Sequence, residues 1–314
     1  MTSRRTTQLL FLPLLASFFV ACSPSNVSSD LRYGNHRIKL ASVDELYRFL
    51  TYHEKRVPLI SAHRGGPSEG FPENALETFE NSARRQPIII ECDVRTTQDG
   101  VLVLMHDETL DRTTSGKGKL VETDFSTLKK LRLKDVNGDV TAYRIPTLDE
   151  ALQWGSGKVV FTLDVKREVS YAAVIDAIRR NKAEAYSVII TYSADQAAMV
   201  HQLAPEMMIS ASIQSANDLL RLNDNNIPDT RLMAFIGTRE ADKALYDLLH
   251  EHGIFCILGT MGNLDKQAAK RGDTVYTAFI ERGADVLSTD RVLEAGEALT
   301  DYRNRHQLTS RFIK

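Results

Sequence analysis

Cysteine is nearly missing from this chain of 314 residues: three occur, Cys22, Cys92 and Cys256. Cys92 and Cys256 both lie inside apolar runs, which argues against a disulfide framework and reads as two buried thiols. Tryptophan is scarcer still, with Trp154 alone; it sits in a helix-like pattern, 148–154, and reads as core rather than as a stacking platform. Charge of one sign is also lacking. Lys and Arg number 39 against 41 Asp and Glu, a formal net charge of −2. No basic stripe is available to displace counterions, so no nucleic-acid partner is expected. No Gly-x-Gly-x-x-Gly follows a strand-like run, which lowers a dinucleotide site. There is no internal repeat or low-complexity tract, and no run after residue 21 is long and apolar enough to span a bilayer.

The one sustained apolar run stands at the start. Arg4 and Arg5 precede residues 9–20, which end in Phe19-Val20-Ala21-Cys22. This reads as a lipoprotein signal peptide over residues 1–21, similar to a bacterial lipobox in which the Cys is acylated and becomes the mature N-terminus. The alternative is an ordinary cleavable signal peptide with Cys22 incidental. Residues 22–40 read as a tether and 41–314 as one folded domain, anchored by lipid on the periplasmic or cell-surface side of a bacterial membrane. Removing residues 1–21 takes away Arg4 and Arg5 and moves the formal charge from −2 to −4.

From residue 57 onward, apolar runs alternate with helical patterns. Strands are expected at 57–62, 88–94, 159–165, 187–191, 207–212, 232–236, 254–258 and 285–288. Helices are expected at 74–85, 170–181, 194–203, 240–252 and 273–282. Eight strands with helices between them predict a (β/α)8 TIM barrel rather than an open doubly wound sheet. A ninth apolar run, 101–105, follows Thr97-Gln98-Asp99-Gly100, a hairpin signal. A turn centred on Gln98 and Asp99 would put His106 opposite Glu91. After this hairpin comes a polar excursion, about 109–143. Residues 42–56 read as a helix capped by Ser42 that closes the bottom of the barrel.

The residues that suggest chemistry cluster at the ends of these runs. His63-Arg64 follows the first strand, where active sites of such barrels sit, and Gly65-Gly66 lets the backbone turn beside an anion. Glu91 and Asp93 alternate on one strand, so both point to one face, and Cys92 points to the helical layer. Two inward carboxylates are costly unless a cation compensates them. Asp164 is the candidate third ligand, and all-oxygen ligation favours one divalent cation, Mg²⁺ or Ca²⁺, over zinc. Lys166 shares the inward face of Asp164 and, with the planar fork of Arg64, can reach a phosphate oxygen. Asp107 either orients a histidine or caps the next loop; Asn74 can cap the helix it opens. The other histidines read as surface residues. Together, two imidazoles, paired carboxylates and an arginine are the ingredients for breaking a phosphodiester.

The order of these motifs resembles the glycerophosphodiester phosphodiesterase family: His63-Arg64-Gly65, Pro72-Glu73-Asn74, Glu91-x-Asp93-Val94, Thr97-x-Asp99-Gly100, His106-Asp107 and Arg112-Thr113-Thr114. Further landmarks are 145–152, Leu163-Asp164-Val165-Lys166, Gly283-Ala284-Asp285 and Thr289-Asp290. Ala75 replaces a usual Thr, Asp164 stands where Glu is frequent, and 256–261 replaces a usual Trp-Thr-Val-Asn segment. The resemblance implies metal-dependent hydrolysis of small glycerophosphodiesters to sn-glycerol 3-phosphate and an alcohol. It implies that His63 and His106 form the proton-transfer pair and that Glu73 faces the pocket. Either water or the glycerol 2-hydroxyl can attack first. A phospholipase-like or phosphoinositol-processing enzyme, and a lipoprotein that only binds phosphodiesters, are the alternatives. No aromatic cluster is apparent in the loop after the eighth strand, so weak discrimination among head groups is expected.

Overall fold

A computed structural model describes Thr2 and residues 36–314. Apart from Thr2, the expected signal segment, Cys22 and the expected tether up to residue 35 lie outside the described residues. Nine strands form: β1 Leu59–Ala62, β2 Ile88–Thr96, β3 Leu102–Leu104, β4 Val160–Val165, β5 Ser187–Thr191, β6 Met208–Ser212, β7 Leu232–Phe235, β8 Phe255–Gly259 and β9 Val286–Thr289. Eight of them pair in parallel, β1-β9-β8-β7-β6-β5-β4-β2, and β2 returns to β1 to close the barrel. This is the (β/α)8 TIM barrel expected from the alternation, with β3 lying antiparallel on β2. Among the described residues no helix is long and apolar enough to cross a membrane.

Period-two alternation divides each strand between two environments. Residues such as Ile60, Ile90, Cys92, Phe161, Cys256 and Leu287 face the helices and join the main core. Cys92 and Cys256 are free, buried thiols. Trp154 packs on the Phe79 and Phe161 rings, and its indole N–H donates to Glu80 at 3.1 Å.

Inward residues stack in layers. Leu59, Ile89, Val160, Val188, Met208 and Val286 form an apolar lower layer, sealed by Leu46 and Phe49 of the helix Val43–Phe49. Ser42 caps that helix as expected. It stops well short of residue 56, because the next residues pair with the barrel instead: Thr51 bridges Ile254, and Tyr52 N donates to Gly253 O at 2.9 Å. Residues 36–40, expected as the end of the tether, also belong to the folded body. Ile38 is buried and bridges Ile313, tying the chain's entry to its C-terminal residues.

The hairpin register differs from expectation by one residue. Val94 pairs with Leu104 and Thr96 with Leu102. The loop therefore holds three residues, 98–100, with Gly100 at φ 80° supplying the left-handed position that such loops use. Continuing this register sets His106 against Cys92, not Glu91; β3 ends at Leu104, and His106 bends out of the ladder. The excursion that follows carries its own small core, in which Leu110, Leu120, Leu128 and Leu133 pack with Val103 and Met105.

Candidate active site

At the carboxyl ends of the strands lies a cavity of about 280 Å³, lined on one side by His63, Glu91, Asp93, His106, Asp164 and Lys166. Six residues predicted from scattered motifs thus meet in one place. The turn that delivers His63 is tight: Arg64 has φ 51° and Gly65 φ 84°. A side chain on Gly65 would collide with the Phe79 ring, so this position requires glycine twice over.

Three carboxylates, Glu91, Asp93 and Asp164, place ligand oxygens within 4.8 Å of one another, all buried. Burial and the neighbouring Asp93 push the Glu91 carboxyl up to about 8. Burial also opposes ionisation of Asp93, but the Lys166 ammonium and the Asn74 amide outweigh it and hold its pKa below the ordinary value. Lys166 Nζ lies 2.6 Å from both Asp93 Oδ1 and Asp164 Oδ2. These two charges more than offset its burial and raise its pKa. The other Asp164 oxygen, Oδ1, is buried without a partner. An orphaned anionic oxygen in a three-carboxylate cluster is the donor set a hard cation fits.

Each histidine is held by a carboxylate. His63 Nδ1 lies 2.7 Å from Asp290 Oδ1, and His106 Nδ1 lies 2.8 Å from Asp107 Oδ1. For His63, burial would lower the pKa, but the Asp290 bond and the Glu91 charge prevail and raise it. Arg112 donates to both Asp107 oxygens, at 2.6 and 2.8 Å, and keeps this carboxyl well below its usual range. The same guanidinium grips Glu73 at 2.8 and 2.9 Å, and Arg64 Nη1 approaches Glu73 at 3.1 Å. Glu73 is therefore clamped between two arginines beside the cavity and not among its lining residues. Arg64 stands at the rim, its backbone N–H donating to Glu91 at 2.7 Å. Its Nε is buried without a hydrogen-bond partner, 3.9 Å from Asp93.

Three residues of the site escaped the sequence reading. Asn74 does not cap the helix it precedes; Ala75 holds that place. Its amide instead makes a two-way pair with Asp93, Nδ2 donating to Oδ2 at 2.7 Å and Oδ1 accepting from the backbone N–H at 3.0 Å. Arg95 continues the inward alternation after Glu91 and Asp93, a signal available in the sequence; its Nε donates to His106 O at 2.9 Å. Asp290 was only a landmark. Its backbone N–H is fixed by buried Asp265 at 2.9 Å. The loop after β8 brings Met261 and no aromatic to the cavity; two aromatics, Tyr192 and Phe235, arrive instead from the ends of β5 and β7. His250 is likewise not a surface residue. Its Nε2 lies 3.0 Å from fully buried Asp285 near the start of β9, with Tyr52 stacked on its ring.

The sequence pattern of the Glycerophosphoryl diester phosphodiesterase family matches residues 63–251. The chain belongs to this family. A solved glycerophosphoryl diester phosphodiesterase from Parabacteroides distasonis is 36% identical, with a TM-score of 0.82 over 86% of this chain and 95% of that one. An uncharacterized protein of Bacillus subtilis is 32% identical over 47% of this chain and 63% of its own length. Mouse glycerophosphodiester phosphodiesterase 1 is 44% identical over 29% of this chain and 28% of its own. The match to these two relatives thus spans less than two thirds of their lengths.

Proposed function

We propose that this protein hydrolyses glycerophosphodiesters to sn-glycerol 3-phosphate and an alcohol, with one divalent cation, Mg²⁺ or Ca²⁺, held by Glu91, Asp93 and Asp164. The carrying observation is that two carboxylate-held imidazoles share one cavity with a three-carboxylate cluster. Such a cation supplies Lewis-acid neutralisation of phosphate charge. With Nδ1 of each histidine engaged, Nε2 of His63 and of His106 is the nitrogen free to exchange protons. One takes the proton of the attacking hydroxyl, whether of water or of the glycerol 2-position. The other donates to the departing alkoxide. Arg64 Nε and the Lys166 ammonium direct positive charge at the phosphate oxygens. Binding alone needs no pair of proton shuttles, which favours the enzyme over a phosphodiester-binding lipoprotein.

The ending Val20-Ala21-Cys22 supports a further part of this reading: acylation of Cys22 would hold the enzyme on the outer side of a bacterial membrane. The central test is turnover of glycerophosphocholine and of an aryl phosphodiester with and without chelator, in wild type and Asp93→Asn. Both reactions should stop in chelator and in the variant. Full activity of Asp93→Asn in chelator would overturn the cation assignment, and release of no glycerol 3-phosphate would overturn the substrate.

A further inference from the structure

At the amino ends of the strands, away from the cavity, three donors of different chemistry converge. His250 lies in the last turn of the helix Lys243–Glu251, Cys256 near the start of β8, and Asp285 immediately before β9. An imidazole nitrogen, a thiol sulfur and a carboxylate oxygen lie there within 4.8 Å of one another. Ligand atoms that near need only small rotations to reach the roughly 2.0–2.3 Å of zinc bonds. At about 3.3 Å per strand residue, Asp285 stands roughly 16 Å from Asp290 along β9, so the cluster is remote from the candidate active site. Its chemistry differs too. Glu91, Asp93 and Asp164 offer oxygen alone, whereas sulfur and imidazole nitrogen select a softer ion than magnesium or calcium.

The surroundings hold these donors in place. The His250 ring lies flat on Tyr52, with ring centres 3.6 Å apart and planes at 5°, and its Nε2 faces Asp285 Oδ2 at 3.0 Å. Asp285 is fully buried; Arg56 Nε donates to its Oδ1, and the Cys256 backbone N–H donates to Oδ2 at 2.7 Å. Outer donors that fix a carboxylate in this way are the usual support of a metal ligand. The Cys256 thiol, by contrast, has only a weak approach to Ile254 O at 4.0 Å. The Tyr246 hydroxyl is sealed from solvent without a hydrogen-bond partner, and its ring lies 6.4 Å from that of His250. Burial and the neighbouring Cys256, Glu240 and Asp285 raise its pKa. A buried hydroxyl left over beside such a cluster calls for a further partner. The His250 side chain is 12% exposed, which gives an ion an entry from the surface.

We propose that His250 Nε2, Cys256 Sγ and Asp285 Oδ2 bind a borderline divalent cation of their own, zinc by preference, with water in the fourth position. Binding exchanges the Cys256 thiol proton for the cation and leaves the His250 proton on Nδ1. The inference does not rest on the phosphodiesterase reading. The test is titration of the reduced full chain with cobalt(II) in excess magnesium, followed by near-ultraviolet absorption. A cobalt–thiolate bond gives a strong charge-transfer band there, and ligation by oxygen alone gives none. Wild type should develop the band to an endpoint of one cobalt per chain, and zinc should abolish it. Cys256→Ala should lose the band, while Cys22→Ala and Asp93→Asn keep it. His250→Gln should weaken cobalt binding about tenfold or more, at least the loss that removal of an outer partner brings. The absence of a band in wild type would overturn the proposal whatever the variants do. A band that survives Cys256→Ala or disappears in Asp93→Asn, or an unchanged affinity in His250→Gln, would overturn it as well.

Discussion

His63 and His106 are equivalent in one respect and different in another. Both commit Nδ1 to a carboxylate, but His63 answers to Asp290, far along the chain, while His106 answers to its own neighbour. Asp107 is in turn locked by Arg112, so His106 is oriented by the hairpin and its excursion, and His63 by the last strand end. Replacing either histidine by Ala should lower kcat by about 10²–10⁴, the usual worth of a positioned proton-transfer group. Steady-state kinetics on glycerophosphocholine checks this, and a variant within a fewfold of wild type would remove that histidine from the chemistry. An aryl ester with a good leaving group should restore turnover to the variant lacking the general acid and not to the one lacking the base. That comparison assigns the two roles.

The elements were legible where burial enforces a period and less so where one residue resets it. Eight apolar runs became eight barrel strands, because a strand buried on both faces tolerates little else. Inward placement of Glu91, Asp93, Asp164 and Lys166 followed from alternation alone. The hairpin register did not, since Gly100 adds a third loop residue that composition cannot count. Asn74, beside Asp93, and Asp290, beside His63, were hidden for another reason: their partners are 19 and 227 residues away, beyond any local pattern. At the turn after β1, one element-scale prediction is sharp. Gly65→Ala places a Cβ both in a left-handed conformation and against Phe79. It should cost about 2 kcal/mol or more and displace His63. Thermal denaturation should show a lower midpoint together with reduced turnover; an unchanged midpoint would mean the turn relaxes freely.

Across the whole molecule, stability and chemistry occupy different heights of one barrel. The lower layer inside the barrel, sealed by the helix Val43–Phe49 and by Phe312, is wholly apolar, while the ionisable groups of the site gather at the top. The chain enters this body through Ile38, on the apolar side, paired with its own C-terminal residues. Attachment through an acylated Cys22, as proposed, would then be separable from catalysis. Cys22→Ala should move the protein from the membrane to the soluble fraction while sparing kcat, as fractionation and assay of the same lysate would show. Unchanged membrane association would point to an anchor other than acylation at Cys22.

The crowding of carboxylates at the top of the barrel makes the fold's robustness conditional on its surroundings. Glu91 titrates near 4.5 in its ordinary state and about 8 here, so between those values the folded chain retains a proton that the unfolded chain has released. Stability must then fall as pH rises through that window. The proposed divalent cation would take the place of that proton and stabilise by mass action. In chelator, calorimetry from pH 5 to 8 should show a falling melting temperature for wild type and a flatter profile for Glu91→Gln. Magnesium or calcium should restore wild type and do little for the variant. Equal slopes would trace the loss to other groups. With the slopes as expected, loss of the proposed cation would weaken the protein itself as well as its reaction, and the emptied form would be the one most open to proteolysis.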